Sequence, residues 1–409
     1  MTSFRPTSAA EVAEIVTWAA AERQPLEIVG GGSKCGLGRA NRPEHRLEVA
    51  ALSGILDYEP PELVLTAQAA TPMRAIAAAL DAERQMLAFE PPDWSALLGT
   101  SGSEPTLGGV VATNLAGPRR VRAGAARDHF LGFAAVNGRG EAWKAGGKVV
   151  KNVTGYDLCK LQAGAYGTLS VLTELSVRVL PRPEQECSVL LAGLEDEAAI
   201  RAMAAALNTP HEVSSVAHLP AAVAARVAGP AGAGGSLTVL RLEGPGPSVA
   251  YRAEALQAEA LRQGRECHLL DHASSTAVWA AIGAVQPLLA RTDSVVWRVC
   301  PTPASAASVL HAIQAARIGA EGFYDWGGGL LWVSLAPDQA GDDCGAAIVR
   351  GAVAAAGGHA MLLRAPDPAR ASVPVFQPEP ASLRALAQRV KSGFDPVGIL
   401  NPGRMQEGV

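Results

Sequence analysis

The chain contains the segment Ile28-Val29-Gly30-Gly31-Gly32-Ser33-Lys34-Cys35-Gly36, in which a short apolar strand runs into a glycine-rich loop. Glycine has no Cβ, so the backbone amides of consecutive glycines can turn towards one point and form a nest that binds an anion. We expect a pyrophosphate there. The loop is neither a Rossmann nor a Walker motif, because Cys35 and Leu37 stand where those motifs require glycine and lysine. A tight turn without any ligand stays open as the alternative.

A second glycine-rich segment reads Thr106-Leu107-Gly108-Gly109-Val110-Val111-Ala112-Thr113-Asn114, and Gly117 and Arg119-Arg120 follow it. Paired glycines allow a backbone to lie against a flat ring system. Thr113 and Asn114 can supply polar contacts to such a ring. The structural alternative is a buried strand with a bulge.

Two further segments complete the series. Residues 146–158 contain Gly146-Gly147-Lys148, and four of the six lysines of the chain lie between residues 144 and 160. The alternative for this segment is a solvated surface turn. Residues 164–173 run from Gly164 through Gly167-Thr168-Leu169 into a predicted strand, Val171 to Val179. As structure alone, the last segment is a turn followed by a strand.

Composition excludes several classes of function. The chain has 409 residues, of which 48% are hydrophobic, and a formal net charge of -4, which fits two or three globular domains. The mild acidity argues against binding of nucleic acid or lipid headgroups. The first residues show no basic segment before an apolar run, and no stretch reaches the roughly 18 apolar residues of a membrane-spanning helix. We therefore expect neither a secretory signal nor direct membrane insertion.

The cysteines are scattered along the chain, at Cys35, Cys159, Cys187, Cys267, Cys300 and Cys344. Because there is no C-x-x-C pair, the sequence predicts neither an iron–sulfur cluster nor a structural zinc site. Isolated cysteines indicate buried thiols in a reducing compartment.

The best domain boundary is Pro181-Arg182-Pro183, which ends a clear strand. Before it, capping residues predict one helix after Thr7 or Ser8 and another that starts with Pro72 at its first position. Apolar runs there predict strands at residues 46–49, 63–68 and 87–89. After it, Ala-rich helices alternate with strands, which indicates a separate α+β domain. A last helix is predicted at residues 382–390.

The order and spacing of the four glycine-rich segments resemble the PCMH-type FAD-binding domain of the vanillyl-alcohol-oxidase superfamily. The resemblance covers roughly residues 5–182 and the tail Asn401-Pro402-Gly403. The longer strings GPRRVRAG, KNVTGYDLCKL and FDPVGILNPGRM resemble the E-type, FAD-binding subunits of bacterial glycolate oxidases. The fold implied is α+β: a two-part PCMH-type FAD-binding domain at residues 1–182, a smaller α+β cap domain at 183–365, and a segment at 366–409 that returns to the FAD domain.

The cofactor that the resemblance implies is FAD. The first loop would hold its pyrophosphate, Gly108 and Gly109 would pass near the isoalloxazine, and Gly167 to Leu169 would contact the flavin and adenine side. No histidine lies in or beside the first loop, where many relatives attach FAD covalently, so we expect noncovalent FAD. The cofactor-binding residues implied are Gly30, Gly31, Gly32, Ser33, Lys34, Cys35, Gly36, Pro92, Thr106, Gly108, Gly109, Asn114, Gly117, Gly164, Gly167, Thr168, Leu169 and Val171.

The sequence assigns no catalytic residue and no metal site. Related 2-hydroxy-acid dehydrogenases carry a Gly-Asp-Gly-Asn core flanked by two histidines, whereas Gly322 to Trp332 contains no histidine. Without imidazole ligands, a divalent ion that grips a hydroxy-carboxylate is hard to build. His268 and His272 flank Asp271 at helical i, i+4 spacing, but no third ligand lies near them in the sequence.

The resemblance implies the FAD-binding subunit of a multi-subunit glycolate oxidase or dehydrogenase, which converts glycolate, a small 2-hydroxy acid, to glyoxylate. The partners implied are two other components of glycolate oxidase, the sister FAD-binding D subunit and the iron–sulfur F subunit. The location implied is cytoplasmic, with contact to the inner face of the membrane only through a partner. Three alternatives stay open: a self-sufficient FAD-dependent dehydrogenase of another small 2-hydroxy acid, a non-catalytic flavin-carrying or scaffold subunit, and a ligand-binding module without redox function.

Overall fold

The computed structural model describes residues 2–41, 43–148, 155–228, 235–317 and 319–408. Residues 149–154, which include part of the KNVTGYDLCKL string, lie outside the described residues. The strands of the described part are β1 Thr2–Phe4, β2 Leu26–Val29, β3 His45–Glu48, β4 Ile55–Glu59, β5 Val64–Gln68, β6 Gln85–Met86, β7 Phe130–Asn137, β8 Ala142–Gly146, β9 Ser170–Arg178, β10 Leu180–Pro181, β11 Gln185–Ala192, β12 Ser215–Leu219, β13 Leu237–Gly244, β14 Cys267–Leu270, β15 Val295–Pro301, β16 Glu321–Asp325, β17 Leu330–Leu335 and β18 Gly358–Arg364.

The α-helices of the same ranges vary from one turn to about five turns. They are α1 Ala9–Ala21, α2 Met73–Ala82, α3 Leu107–Ala112, α4 Arg120–Ala123, α5 Ala126–His129, α6 Leu158–Gln162, α7 Asp196–Leu207, α8 Ala221–Ala228, α9 Gly246–Arg262, α10 His272–Gly283, α11 Ala306–Ala316, α12 Pro337–Ala340, α13 Ala346–Ala356, α14 Asp367–Ser372 and α15 Ala381–Phe394.

The first 181 residues form two small sheets and a two-stranded pair, β6-β10. A parallel sheet has the strand order β1-β3-β2, and an antiparallel sheet has the order β4-β5-β9-β7-β8. Helix α1 lies between them: the Ser8 side chain accepts a hydrogen bond from the Glu11 amide and caps the helix, as the sequence predicts. Val12 and Val16 on the buried face of α1 belong to one apolar cluster with Leu26 and Val136. The helix therefore joins the two sheets through its apolar side.

Residues 185–364 build one large antiparallel sheet with the strand order β14-β11-β13-β12-β16-β17-β15-β18. Its strands alternate along the chain with helices such as α7 and α9, whose apolar residues join the same core. The α+β fold class, with a two-part FAD-binding region and a separate α+β cap, is confirmed. The domain limits at residues 182 and 365 stay a proposal.

The C-terminal segment lies against the parallel sheet near the glycine-rich loop. The Leu26 amide donates to the carbonyl of Ile399 at 2.8 Å, and the Ile28 amide donates to Oδ1 of Asn401 at 2.8 Å. Asn401 also donates through Nδ2 to the carbonyl of Tyr166 at 2.8 Å. One side chain from the tail thus connects the strand before the first glycine loop with the turn before β9.

Three local predictions differ from the structure. The predicted strand at residues 87–89 is wrong, because the strand is β6 and Leu87 to Phe89 follow it. The second glycine segment is the helix α3, in which the Thr106 side chain accepts from the Gly109 amide, so the alternative of a bulged strand is wrong as well. His268 lies in β14 while His272 begins α10, so their i, i+4 spacing does not place them on one helix.

Candidate flavin site

The first glycine loop requires glycine for two different reasons. A Cβ built on Gly31 would lie 1.9 Å from the backbone oxygen of Glu104, so these two backbone segments lie too close together for any side chain at residue 31. Gly32 has a φ of +80°, in the left-handed region that side chains disfavour. The Glu104 amide donates to the Gly31 carbonyl at 3.2 Å and holds the loop against the segment before α3.

A cavity of about 820 Å³ opens above this loop, and we call it the glycine-loop cavity. Ten of the residues that the sequence nominated for the cofactor line it: Gly30, Gly31, Gly32, Ser33, Lys34, Cys35, Thr106, Gly108, Gly109 and Gly167. Thr113, which the sequence offered as a polar contact to a ring system, lines it as well, and eleven further lining residues were not nominated: Ile28, Val29, Val49, Ala69, Ala112, Gln162, Tyr166, Ser170, Leu172, Asn401 and Arg404. The cavity therefore gathers three of the glycine-rich segments and the C-terminal tail.

Two cationic side chains enter the glycine-loop cavity. The Lys34 ammonium donates to the hydroxyl of Ser33 at 3.2 Å, and burial lowers the pKa of Lys34 to about 8 against the opposing effect of Asp93. Arg404 donates through Nη2 to the carbonyl of Lys34 at 2.9 Å. An anion such as a pyrophosphate would restore the charge that burial disfavours on Lys34.

Two buried polar atoms of the same wall lack a partner. Within the ranges that the structure describes, Nε2 of Gln162 and Oγ of Ser170 make no hydrogen bond. Buried polar groups are nearly always satisfied in proteins, and both residues belong to the lining of the glycine-loop cavity, so a ligand there is a candidate partner for them. Two free polar groups, two cations and a side-chain-free loop fit a dinucleotide that carries both a polar ring system and a pyrophosphate.

A second cavity, of about 1210 Å³, adjoins the first at Thr113 and Tyr166, which line both. We call it the interface cavity, because one wall comes from loops and a short helix between residues 94 and 166 and the other mainly from the eight-stranded sheet. The nominated residues Asn114 and Gly164 lie here. The Asn114 side chain accepts from the Arg127 amide at 3.0 Å, so its Oδ1 already has a protein partner.

Tyr166 stands at the junction of the two cavities in a strained backbone conformation, with a φ of 54°. Such strain persists where surrounding contacts hold it, and it is concentrated at functional sites. The Tyr166 amide donates to the Ala112 carbonyl at 2.9 Å, and Asn401 holds its carbonyl. Burial raises the pKa of Tyr166 to about 12, so its hydroxyl stays protonated at neutral pH.

The remaining nominated residues lie outside both cavities. The carbonyl of Gly36 accepts from Arg370 at 2.7 Å, and the carbonyl of Gly117 accepts from the Trp326 indole at 3.1 Å. Pro92 lines a third cavity. Thr168, Leu169 and Val171 are buried and absent from both linings. These residues shape the loops and strands that carry the walls.

The fold and the glycine-loop cavity fit a PCMH-type FAD-binding domain, and comparison with known proteins agrees. Residues 3–146 match the family model described as "FAD binding domain". A crystal structure of p-cresol methylhydroxylase with substrate bound superimposes with a TM-score of 0.72 at 13% identity, over 99% of this chain and 88% of that chain. This likeness shows the shared fold.

Sequence relatives name the family. The glycolate oxidase subunit GlcE of Escherichia coli K12 is 34% identical over 392 residues, which are 96% of this chain and 95% of that protein. The chain therefore belongs to the GlcE family. A D-2-hydroxyglutarate dehydrogenase of Xanthomonas citri is 33% identical over 190 residues, which are 46% of this chain and 38% of that longer protein. Thus the match to the longer dehydrogenase is partial.

The chain is an FAD-dependent oxidoreductase, as the sequence predicted, and FAD is its cofactor. Among the described residues, no helix combines the length and apolar character needed to cross a bilayer. The noncovalent attachment of FAD stays a prediction.

Proposed function

We propose that the chain is the FAD-binding subunit of a multi-subunit glycolate oxidase, which oxidises glycolate to glyoxylate together with a sister FAD-binding D subunit and an iron–sulfur F subunit. The observation that carries the proposal is the similarity to the GlcE protein over nearly the whole of both chains. The two adjoining cavities support it, because they provide a place for a dinucleotide and, next to it, a place for a small substrate.

In this proposal the first loop and its two cations, Lys34 and Arg404, hold the FAD pyrophosphate. Gln162 and Ser170 contribute their free polar atoms, and Tyr166 marks the point where the ring system meets the interface cavity. When bound, FAD supplies the acceptor for the hydride that leaves the substrate carbon, while the hydroxyl proton leaves to a base or to water. The protein's task is to orient the substrate and limit the access of water.

Electrons must then leave the flavin, and the sequence contains no cysteine cluster that could hold an iron–sulfur relay. We assign that relay to the iron–sulfur F subunit. Co-expression of the chain with both partners should give a stable complex that reduces an artificial dye with glycolate. The isolated chain should be yellow, should release free FAD on acid or heat treatment, and should turn over glycolate negligibly.

Other results would redirect the proposal. Efficient oxidation of glycolate or D-lactate by the isolated chain would favour a self-sufficient dehydrogenase. A complex that holds flavin on this chain but whose activity does not need that flavin would favour a scaffold role. A chain that cannot be reconstituted with FAD would contradict the flavin site itself.

The residue assignment within the flavin site has its own test. Replacing Gly31 or Gly32 with Val should lower FAD affinity, since strain or a backbone clash costs on the order of 1–3 kcal/mol, or roughly ten- to hundred-fold in affinity. A Gly351→Val variant is the control, because a Cβ on Gly351 meets no atom within 4 Å and the residue lies outside both cavities. Folded Gly31 and Gly32 variants with normal FAD content would contradict the pyrophosphate assignment.

A further inference from the structure

Two arginines from opposite walls of the interface cavity converge on one aromatic ring. Arg120 comes from the segment after the second glycine motif, and Arg298 from strand β15 of the eight-stranded sheet. Their guanidinium carbons lie 4.8 Å and 5.2 Å from the ring centroid of Trp326. The Trp326 indole is itself fixed by its hydrogen bond to the Gly117 carbonyl. The ring thus holds two cations at one place on the cavity wall.

Neither arginine forms a salt bridge within the described ranges, and neither side chain donates a hydrogen bond to another protein group there. The opposite charges that act on them are Asp128, which acts to raise the pKa of Arg120, and Asp325, whose pKa the charge of Arg298 acts to lower. The described lining of the interface cavity contains no aspartate or glutamate. Cation–π contact with Trp326 compensates only part of the cost of keeping two positive charges in a half-buried wall.

Neighbouring groups respond to this excess of positive charge. Burial and the guanidinium of Arg298 both lower the pKa of Arg120. Burial acts to raise the pKa of the Cys300 thiol, but Arg298, His359 and Arg120 together bring it below its ordinary value. His359 is exposed at the edge of the same cavity. A small anion in this cavity would therefore be attracted by several positively charged or hydrogen-bond-donating groups at once.

The position of the pair favours a substrate anion over the cofactor's phosphates. The pyrophosphate of FAD already has Lys34 and Arg404 in the glycine-loop cavity. The arginines lie beyond the junction residues Thr113 and Tyr166, in the interface cavity between the FAD region and the cap. A guanidinium presents a planar fork of donors that matches a carboxylate.

We propose that Arg120 and Arg298, held on Trp326, form the carboxylate-binding subsite for a small 2-hydroxy acid. The inference rests on the proposed function for the substrate class, and it assigns substrate binding to this chain. A carboxylate between the two guanidiniums leaves the 2-hydroxyl and its carbon free to face the Tyr166 junction. No metal ion is needed for this grip.

The test uses the full-length chain loaded with FAD. Oxalate, a carboxylate that is not oxidised at a hydroxyl carbon, should perturb the flavin absorbance and give a dissociation constant, whereas the neutral glycolamide should not. Arg120→Gln and Arg298→Gln should each weaken oxalate binding at least tenfold. Arg298→Lys, which keeps the charge but loses the fork, should fall between. The matched control is Arg122→Gln, an exposed residue of the same helix α4, which should bind like the wild type.

Failure of this inference can be told from failure of the proposed function. In the complex of all three proteins, the arginine variants should raise KM for glycolate more than they lower kcat. Unchanged oxalate affinity and unchanged KM in an active complex would overturn the inference and leave the proposed function intact. Oxalate binding that depends on both arginines, in a complex that does not oxidise glycolate, would instead contradict the proposed function.

Two further outcomes are decisive. If the variants change the flavin reduction potential but not oxalate affinity, the arginines serve the flavin and the inference is wrong. If the variants lose FAD, the subsite can still be tested with the wild-type chain. Oxalate should slow the alkylation of Cys300 by iodoacetamide, measured by peptide mass spectrometry, and glycolamide should not. An alkylation rate that oxalate leaves unchanged would overturn the subsite.

Discussion

Arg119 and Arg120 are neighbours in the chain, yet they belong to two different charged groups at the interface between the sheets. Arg119 donates through Nε to both oxygens of Glu243, at 3.0 Å and 3.1 Å. Arg120 has no carboxylate partner among the described residues and lies over Trp326. One arginine is paired with a carboxylate of the cap, and the other lies on an aromatic ring without a salt bridge in the described part of the chain.

The paired group is a clamp between the FAD region and the cap, formed by Glu90, Arg119, Glu186, Arg241 and Glu243. Arg241 is 1% exposed and binds both oxygens of Glu90, at 2.9 Å and 2.8 Å. Burial acts to raise the pKa of Glu243, but Arg241 and Arg119 bring it down to about 2. The clamp is thus complete without any ligand, whereas Arg120 and Arg298 are not.

The two groups differ in their partners: Arg241 has carboxylates at hydrogen-bond distance, whereas Arg120 and Arg298 have an aromatic ring. The same contrast divides the buried lysines. Lys391 donates to Asp395 at 2.7 Å and to the carbonyls of Thr168 and Leu400. Lys34 donates only to the hydroxyl of Ser33 in the described ranges. Lys34 lines the glycine-loop cavity, whereas Lys391 connects helix α15 with the turn before β9 and with the tail.

The largest expected effect comes from breaking the clamp. Arg241→Met leaves Glu90, Glu186 and Glu243 buried with one arginine fewer, so the free energy of unfolding should fall by about 3–5 kcal/mol. Arg298→Met, in a strand of the same sheet, removes a cation that makes no salt bridge among the described residues and should cost less than about 0.5 kcal/mol. Urea unfolding of both variants, followed by tryptophan fluorescence, measures the difference. Equal losses would contradict the division into two groups.

The glycine loop was predictable because part of its requirement is local. The positive φ of Gly32 selects glycine from the loop's own backbone, and the run of three glycines is visible in the sequence, whereas the contact that requires Gly31 comes from the distant Glu104. The segment order then identified the FAD region. Helix α1 with its Ser8 cap was equally accessible, because capping and apolar spacing depend on neighbours in sequence.

The interface cavity was not predictable, because its residues come from distant segments. Arg298 belongs to the apolar run Val295-Val296-Trp297-Arg298-Val299, and a charge inside such a strand is the one signal that could have marked it. Whether it pairs with Glu90 like Arg241, or stays free like Arg120, depends on strand order in the eight-stranded sheet. Arg404 was missed for a similar reason: only the folded tail brings it to Lys34.

A middle-sized effect is expected from the buried lysine pair. Lys391→Met removes the partner of Asp395, but the amides of Gly398, Ile399 and Leu400 still donate to that carboxylate. The free energy of unfolding should therefore fall by about 2 kcal/mol, less than for the clamp.

The Lys34→Met variant should keep the stability of the wild type and lose FAD affinity instead. Thermal unfolding of the two apoproteins and FAD titration separate the two roles, and a Lys34→Met apoprotein as unstable as Lys391→Met would remove the contrast.

The smallest expected effect is a pH dependence of FAD binding that arises from Lys34. Because burial lowers the pKa of Lys34 to about 8 in the free protein, a bound pyrophosphate should raise it again by favouring the charged form. Affinity is then greatest below pH 8, where Lys34 is already protonated, and falls as the pH rises above 8, because binding must first recruit a proton.

Between pH 7 and pH 9 the loss should be roughly three- to tenfold, or about 1 kcal/mol. The groups around Lys34 do not reproduce this profile: burial raises the pKa of the Cys35 thiol, so it stays neutral further into the alkaline range, and the Arg404 guanidinium stays charged. Titration of the apoprotein with FAD by flavin fluorescence, from pH 6.5 to 9.5, measures it. Lys34→Arg should bind with a flat profile across this range, and Lys34→Met should bind weakly with an equally flat one. A wild-type affinity that does not change across pH 8, or a Lys34→Met variant that keeps the wild-type slope, would show that Lys34 does not meet the cofactor's charge.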